Sequence, residues 1–297
     1  MKTKFLALVL LCSASTLFAQ SAATGLSFLK LGVGARTIAM GETGAASSAD
    51  ASAPYYNPAL LSFAAQTDLS LMHKEWIADI STEYFGAAIP GETVALGFSF
   101  NATNTGSIDV RTQPGDPAGT FNAHDMAITG SAGVKLSDEL AIGISAKFLY
   151  EKLYVDEASG YAVDLGAAYR VSPSLTLGAA LSNLGSMNEM RNEALTLPSL
   201  LRAGASYAGT MSEDFAWRAN AELVTIFKQS ESHVHLGGEV SYDKTVALRA
   251  GYETGYDAKA FTGGIGVAYG MLAFDYAFVP FSSGFSTTHT FSLSFRL

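Results

Sequence analysis

LAIGISAKFLY, residues 140–150, holds one side-chain alternation without a break. Leu140, Ile142, Ile144, Ala146, Phe148 and Tyr150 fall on one face of an extended strand, and Ala141, Gly143, Ser145, Lys147 and Leu149 on the other. A helix would mix the two sets, so the period of two assigns a strand. The stretch is as long as a tilted strand must be to cross a bilayer. One face suits lipid; the other suits a polar lumen.

The same reading extends outward in both directions. Val94, Leu96, Phe98 and Phe100 alternate with Ala95, Gly97, Ser99 and Asn101; Tyr161, Val163, Leu165 and Tyr169 alternate with Ala162, Asp164, Gly166 and Arg170. Fourteen such segments are expected, at 67–76, 81–89, 93–103, 125–136, 140–154, 161–171, 175–182, 198–208, 215–226, 233–242, 246–253, 261–269, 271–279 and 287–297. Arg or Lys on the lipid face near the midplane costs about 2–4 kcal/mol. Lys147, Arg170, Arg202, Arg218 and Arg249 all fall on the opposite phase. Links between segments alternate between tight ones, such as Pro90-Gly91-Glu92, and longer ones at 104–124, 155–160, 183–197, 227–232, 254–260 and 280–286. The first long-side link, near Ile77, is short, and the link 209–214 is longer than the other tight turns. Short turns on one rim and long loops on the other are the pattern of an outer-membrane barrel, with both termini on the short-turn side. The expected fold is therefore all-β, a 14-stranded antiparallel transmembrane β-barrel. The chain ends in Phe291, Leu293, Phe295 and Leu297 alternating with polar residues, in keeping with a terminal barrel strand.

Bulk numbers agree. Charged residues make up 15% of the 297, and hydrophobic residues 48%, a low-charge composition for a globular chain. Residues 1–19 read as a signal peptide, with Lys2 and Lys4 at its start, an apolar run from Phe5 to Leu11 and a small-residue exit. Cys12, the one cysteine, leaves with it, so no disulfide is expected. Removing two lysines and no acid moves the formal charge from −9 to −11. An acidic chain without a basic run argues against nucleic acid as a partner. No later apolar run is long enough for a membrane-spanning helix, so a spanning chain must close into a barrel to satisfy its backbone in hydrocarbon.

One stretch does not alternate: GVGARTIAMGETGAASSADASAPYYNPALL, residues 32–61. Its glycines let the backbone turn and pack closely, and Asn57-Pro58 initiates a turn. It reads as an N-terminal plug, giving a division into 1–19 leader, 20–66 plug and 67–297 barrel. The spaced residues Gly34, Ala35, Arg36, Met40, Gly41, Asp50, Tyr56, Asn57, Pro58 and Ala59 resemble the N-terminal signature of the PorV/PorQ family. Fainter echoes follow at 181–185, 197–207 and 248–252. The resemblance implies a FadL-like barrel with a plug in the outer membrane of a Gram-negative, Bacteroidota-type bacterium. It implies an accessory or shuttle role in type IX protein secretion, with outer-membrane lipid, the secretion translocon and exported cargo proteins as partners. The rival reading is a FadL-like passive channel for a hydrophobic small molecule, marked by an apolar pocket between plug and outer loops to which Met187, Met190, Leu195 and Leu197 would contribute.

The chemistry-bearing residues favour no enzyme. Lys147, Asp164, Arg170, Arg202, Arg218, Glu222, Glu239, Arg249 and Asp275 form the charge-paired lining a polar lumen needs. No nucleophile elbow, zinc-protease motif or phosphate loop is present, and no cofactor is implied. His233 and His235 share one strand face and would offer two metal ligands, but they keep step with the polar lumen phase; no metal is assigned. His73, His124 and His289 stand apart. Arg36 is expected to pair with a lumen carboxylate and hold the plug. Tyr55 and Tyr56 either wedge the plug or line a lipid path. Tyr150, Tyr154, Tyr161, Tyr169, Trp217, Tyr242, Tyr252, Tyr269 and Phe281 read as interfacial aromatics.

Overall fold

The structure, a computed structural model, describes residues 25–297 apart from 78, 112, 192, 283 and 285; the leader assigned to 1–19 lies outside the described residues. The strands are β1 (Asp68–Glu75), β2 (Ser81–Ile89), β3 (Val94–Val110), β4 (Gly119–Lys135), β5 (Leu140–Leu153), β6 (Asp156–Arg170), β7 (Leu175–Met187), the two-residue β8 (Glu189–Met190) and β9 (Glu193–Ala194), β10 (Leu200–Thr210), β11 (Phe215–Ile226), β12 (Glu231–Tyr242), β13 (Val246–Glu253), β14 (Phe261–Tyr269), β15 (Leu272–Val279) and β16 (Thr288–Arg296). All but β8 and β9 form one closed antiparallel barrel of fourteen strands, each beside its neighbour in sequence. β1 and β16 close the ring, from Asp68 opposite Arg296 to Glu75 opposite His289.

Every expected segment becomes a strand of that ring. The wall sorts as the alternation requires: Ile144 is 51% exposed and Leu96 53%, while Lys147 is 5% exposed and Asp164 fully buried. Closure leaves no sheet edge within the bilayer, which is what makes a β-structure viable there.

Three expected loops are largely strand. β3 and β4 run on to pair Val110 with Gly119, β5 and β6 meet at a hairpin pairing Leu153 with Asp156, and β7 continues to Met187. Above the membrane both faces of a hairpin meet water, so polar residues occupy both phases while the backbone ladder continues. The link expected at 209–214 shortens to 211–214, in line with the other tight turns. The C-terminus lies on the tight-turn rim, where Leu297 N–H donates to the Thr67 carbonyl. The expected start near Gln20 lies outside the described residues; Leu26, Phe28 and Leu29 pack in the lumen on Ala127, Leu149 and Ala162.

Gly97, which the sequence leaves open as a kink or a close backbone approach, sits in a ladder unbroken on both sides. The irregularity within the membrane wall lies instead at Asp164, where Val163 pairs with Leu184 and Leu165 with Leu181, so β7 bulges at Ser182 and Asn183.

Inside the ring the plug folds as a 3-10 turn (Ser27–Lys30), α1 (Ala35–Ala39), α2 (Ala53–Tyr56) and a second 3-10 turn (Pro58–Phe63). Gly34 and Gly41 hold φ of 77° and 67°, the left-handed region that glycine adopts without strain.

Candidate functional site: the seated plug and the outer chamber

The plug touches the wall main chain to main chain. On nine strands, β2 to β7 and β12 to β14, an inward glycine stands where a Cβ would come within 3.0 Å of a plug atom: Gly86, Gly97, Gly133, Gly143, Gly166, Gly178, Gly237, Gly251 and Gly264. Gly133, Gly143 and Gly166 are cross-strand partners of one another. Together they make a flat bed for the Pro58–Phe63 turn. Backbone approach this close forfeits side-chain volume and gains van der Waals contact over a wide area. Of the nine, the sequence flags only Gly97, as a kink or a close backbone approach, and a close approach is what it makes; the shared signal is recurrence on the inward phase.

Asn57, fully buried, fastens the turn. Its Oδ1 accepts from Ala59 N–H at 3.1 Å, while Nδ2 donates to the Ala45 and Ala167 carbonyls at 2.8 and 3.0 Å. Pro58 follows it at the first position of the turn, where its missing N–H is no loss. Tyr56, also fully buried, accepts from Val33 N–H at 3.1 Å and donates to the Val33 carbonyl at 3.0 Å. Tyr55 reaches the Leu31 carbonyl at 2.8 Å. Both tyrosines are wedges within the plug.

Near the tight-turn rim, Arg36 of α1 meets Glu239 of β12 in a two-bond fork, Nε to Oε2 at 3.0 Å and Nη2 to Oε1 at 2.8 Å. Arg249 donates to Glu239 at 2.6 Å and to Asp275 at 2.6 Å, spanning β14 where Gly266 leaves room. Arg218 stands 4.0 Å from Glu239, and Asp50 4.0 Å from Arg36 while accepting from Ser52 N–H at 2.9 Å. Ala35 N–H donates to Ser292, and Met40 lies buried beside Gly237. Higher in the lumen, Arg202 pairs with Glu222 at 2.9 Å, and Glu222 also accepts from Ala45 N–H at 2.8 Å. Lys147 pairs with Asp164 at 2.6 Å, and both bind Asn183 at the bulge. Arg170 differs: its guanidinium lies 3.9 Å over the Phe63 ring and donates to the Phe63 carbonyl.

Above the plug an outer chamber of about 600 Å³ opens among the long-side loops. Phe28, Leu31, Trp76, Ile80, Leu200 and Ile226 give it apolar walls; Glu42, Lys74, Arg202, Tyr256 and Lys259 give it polar ones. Met187, Met190, Leu195 and Leu197 are not among the residues lining it; Leu197 is buried with Leu26 and Phe28 instead. Phe281, expected at the lipid interface, lines the chamber. Lys259 holds Glu253 at 2.6 Å and Glu42 at 3.6 Å. Burial disfavours its charge, but those two carboxylates more than offset this and hold its pKa above the ordinary lysine value. His233 stacks on Tyr256 at 4.0 Å, and His235 Nε2 lies 3.1 Å from its hydroxyl. His73 pairs with Glu83 and His289 with Tyr276 on the outer face of the wall. Glu42, Lys74, Glu253, Tyr256 and Lys259 were not on the sequence list of site residues, because only the closed ring brings them together.

The family model of the type IX secretion system protein PorV matches residues 16–173, more than half of the chain. A second model, of a family of unknown function, matches residues 95–271. No curated protein matches the chain. Among solved structures, the toluene transporter TbuX of Ralstonia pickettii superposes with a TM-score of 0.65 at 16% identity, covering 90% of this chain and 98% of that one. The CymD monoaromatic hydrocarbon channel gives 0.64 at 16% identity, covering 93% and 99%. The Pseudomonas putida toluene transporter TodX gives 0.61 at 12%, covering 89% and 96%. At such identities the likeness concerns the fold, and family and fold alike are those of transport or secretion barrels rather than enzymes. The chain is an integral outer-membrane β-barrel of FadL-like fold, and it belongs to the family of the type IX secretion system protein PorV.

Proposed function

We propose that this protein is an accessory barrel of type IX secretion, working at the cell surface in the delivery of exported proteins and performing no chemistry itself. The observation that carries the reading is the seating of the plug: nine inward glycines and the Arg36–Glu239 fork hold it against the wall on nine strands. A seated plug directs function to the outer face, where the β3–β4 hairpin and the loop 254–260 rise. By this reading the host is a Gram-negative bacterium of Bacteroidota type, the leader is removed near Gln20, and the partners are the translocon and its cargo.

Deletion of the gene tests it. Exported surface proteins should accumulate in the periplasm, and the intact gene should restore their display. Normal display in the deletion strain would remove the reading. The outer chamber supports a second one, passive uptake of a hydrophobic small molecule, which predicts slowed uptake of an apolar compound in the same strain with secretion intact.

A further inference from the structure

We propose that the outward face of β16, β1 and β2 is an interface between two copies of this chain in the outer membrane, with Glu75 and Glu83 of each copy set against His289 and His73 of the other. This goes beyond the secretion reading and does not depend on it.

These residues stand at the wrong depth for lipid. Strands of such barrels rise about 3.4 Å per residue and tilt about 40°, so on β5 Tyr150 lies about 26 Å above Leu140 at the tight-turn rim, whereas Glu83 lies about 16 Å above Ile89 on β2 and Glu75 about 18 Å above Asp68 on β1. The lipid-facing band of a barrel is about 25 Å tall, so both carboxylates fall inside it. Their side chains point outward, Glu75 65% exposed and Glu83 56%, with His73 between them at 44%. Among the described strand residues no other Asp, Glu, Lys or Arg faces outward at this depth. Ionisable groups turned to hydrocarbon are costly and mark a function by default. Lipid tails offer them no donor; a protein surface does.

The partner that fits is a second copy. His73 Nδ1 meets Glu83 at 2.5 Å, and its Nε2 lies 3.7 Å from Glu75. His289 Nδ1 and the Tyr276 hydroxyl share a bond of 2.8 Å; with the hydroxyl donating, Nε2 carries a hydrogen for an outside acceptor. A two-fold axis along the membrane normal keeps every residue at its own depth, so a face docks on its own copy only where acids and bases share a depth. Here they do: Glu83 lies directly opposite His73, and Glu75 directly opposite His289. With the axis between β1 and β16, Glu75 of one copy meets His289 of the other. Beside them a groove of about 440 Å³, lined by Leu71, Phe85, Phe100, Phe274, Phe291 and Leu293, gives both copies apolar surface to bury.

Cys12, the one cysteine, belongs to the leader, so an introduced cysteine reports alone. Leu71→Cys in the groove and Ile144→Cys on β5 replace side chains of like exposure, 52% and 51%. In outer membranes of cells expressing the full chain, a short bismaleimide should join Leu71→Cys into a band of twice the mass that holds this chain alone, while Ile144→Cys stays single. Glu75→Leu with Glu83→Leu leaves the wall apolar for lipid and should lower that yield about tenfold, with the heat-modifiable band of a folded barrel retained. Native mass spectrometry of the unaltered protein, released with its lipid in copolymer discs, should give two chains per particle. Equal linking at both positions, an adduct that holds a different protein, or an undiminished yield in the folded double variant would each overturn the interface. Should the double variant fail to fold, the native mass decides, and one chain per particle overturns the proposal equally.

Discussion

Arg36 ties the plug to the wall through one guanidinium, and its worth is measurable. The fork to Glu239 is charge-assisted, worth about 1.5–3 kcal/mol when removed, and Arg36 keeps a 27% exposed side chain, which places it at the lower end. Arg36→Met and Glu239→Gln should each lower the urea midpoint of the heat-modifiable band, and the double variant should lose less than the sum. Additive losses would mean that the two side chains do not act as a pair. A glycine contrast tests the seating itself. Gly143→Val drives a side chain into Pro58 and Ala59, whereas a Cβ at Gly130 has nothing within 4 Å. The first variant should assemble poorly and the second normally, read as the yield of folded barrel. That Arg36 meets a lumen carboxylate was legible from its isolation in a small, apolar stretch. Which carboxylate was not legible, because the choice depends on where the plug sits along β12.

At the level of the elements, the alternation gave all fourteen barrel strands, since inside a bilayer each phase has a single environment. Their outer ends were not legible: the hairpin of β3 and β4 leaves the membrane, both phases meet water, and the period fades while the hydrogen bonds persist. The bulge of β7 was hidden for another reason. Asn183 holds φ of 61°, a conformation asparagine tolerates better than most residues. Its N–H binds Asp164 at 2.8 Å, its Oδ1 accepts from Lys147 at 2.8 Å, and its Nδ2 donates to the Pro198 carbonyl at 3.1 Å. Asn183→Ala removes the side-chain bonds and strains the backbone. The expected loss is about 2–4 kcal/mol, from one or two hydrogen bonds to charged or buried groups plus the left-handed conformation. Amide exchange should quicken at 182–187 and 197–200 and stay unchanged in β12 to β14. A uniform response around the ring would refute a local role for the bulge.

Across the whole molecule, a closed wall, a plug seated on glycine and an outer chamber divide the protein into a plugged body and an open outer face. The plugged body follows from patterns that a single strand or a short motif can carry. The chamber does not, because Lys74, Glu42, Arg202 and Lys259 come from distant parts of the chain and meet only when the ring closes. Secretion is a function for which a plugged lumen is no handicap. It is tested most directly by gentle extraction of the native outer membrane, capture of the protein through a tag in the 111–118 link, and mass spectrometry of what accompanies it. The account predicts a large translocon barrel or exported cargo in the captured material, lost when the outer hairpin of β3 and β4 is trimmed. Recovery of the barrel alone, with cargo displayed normally in the same cells, would contradict it.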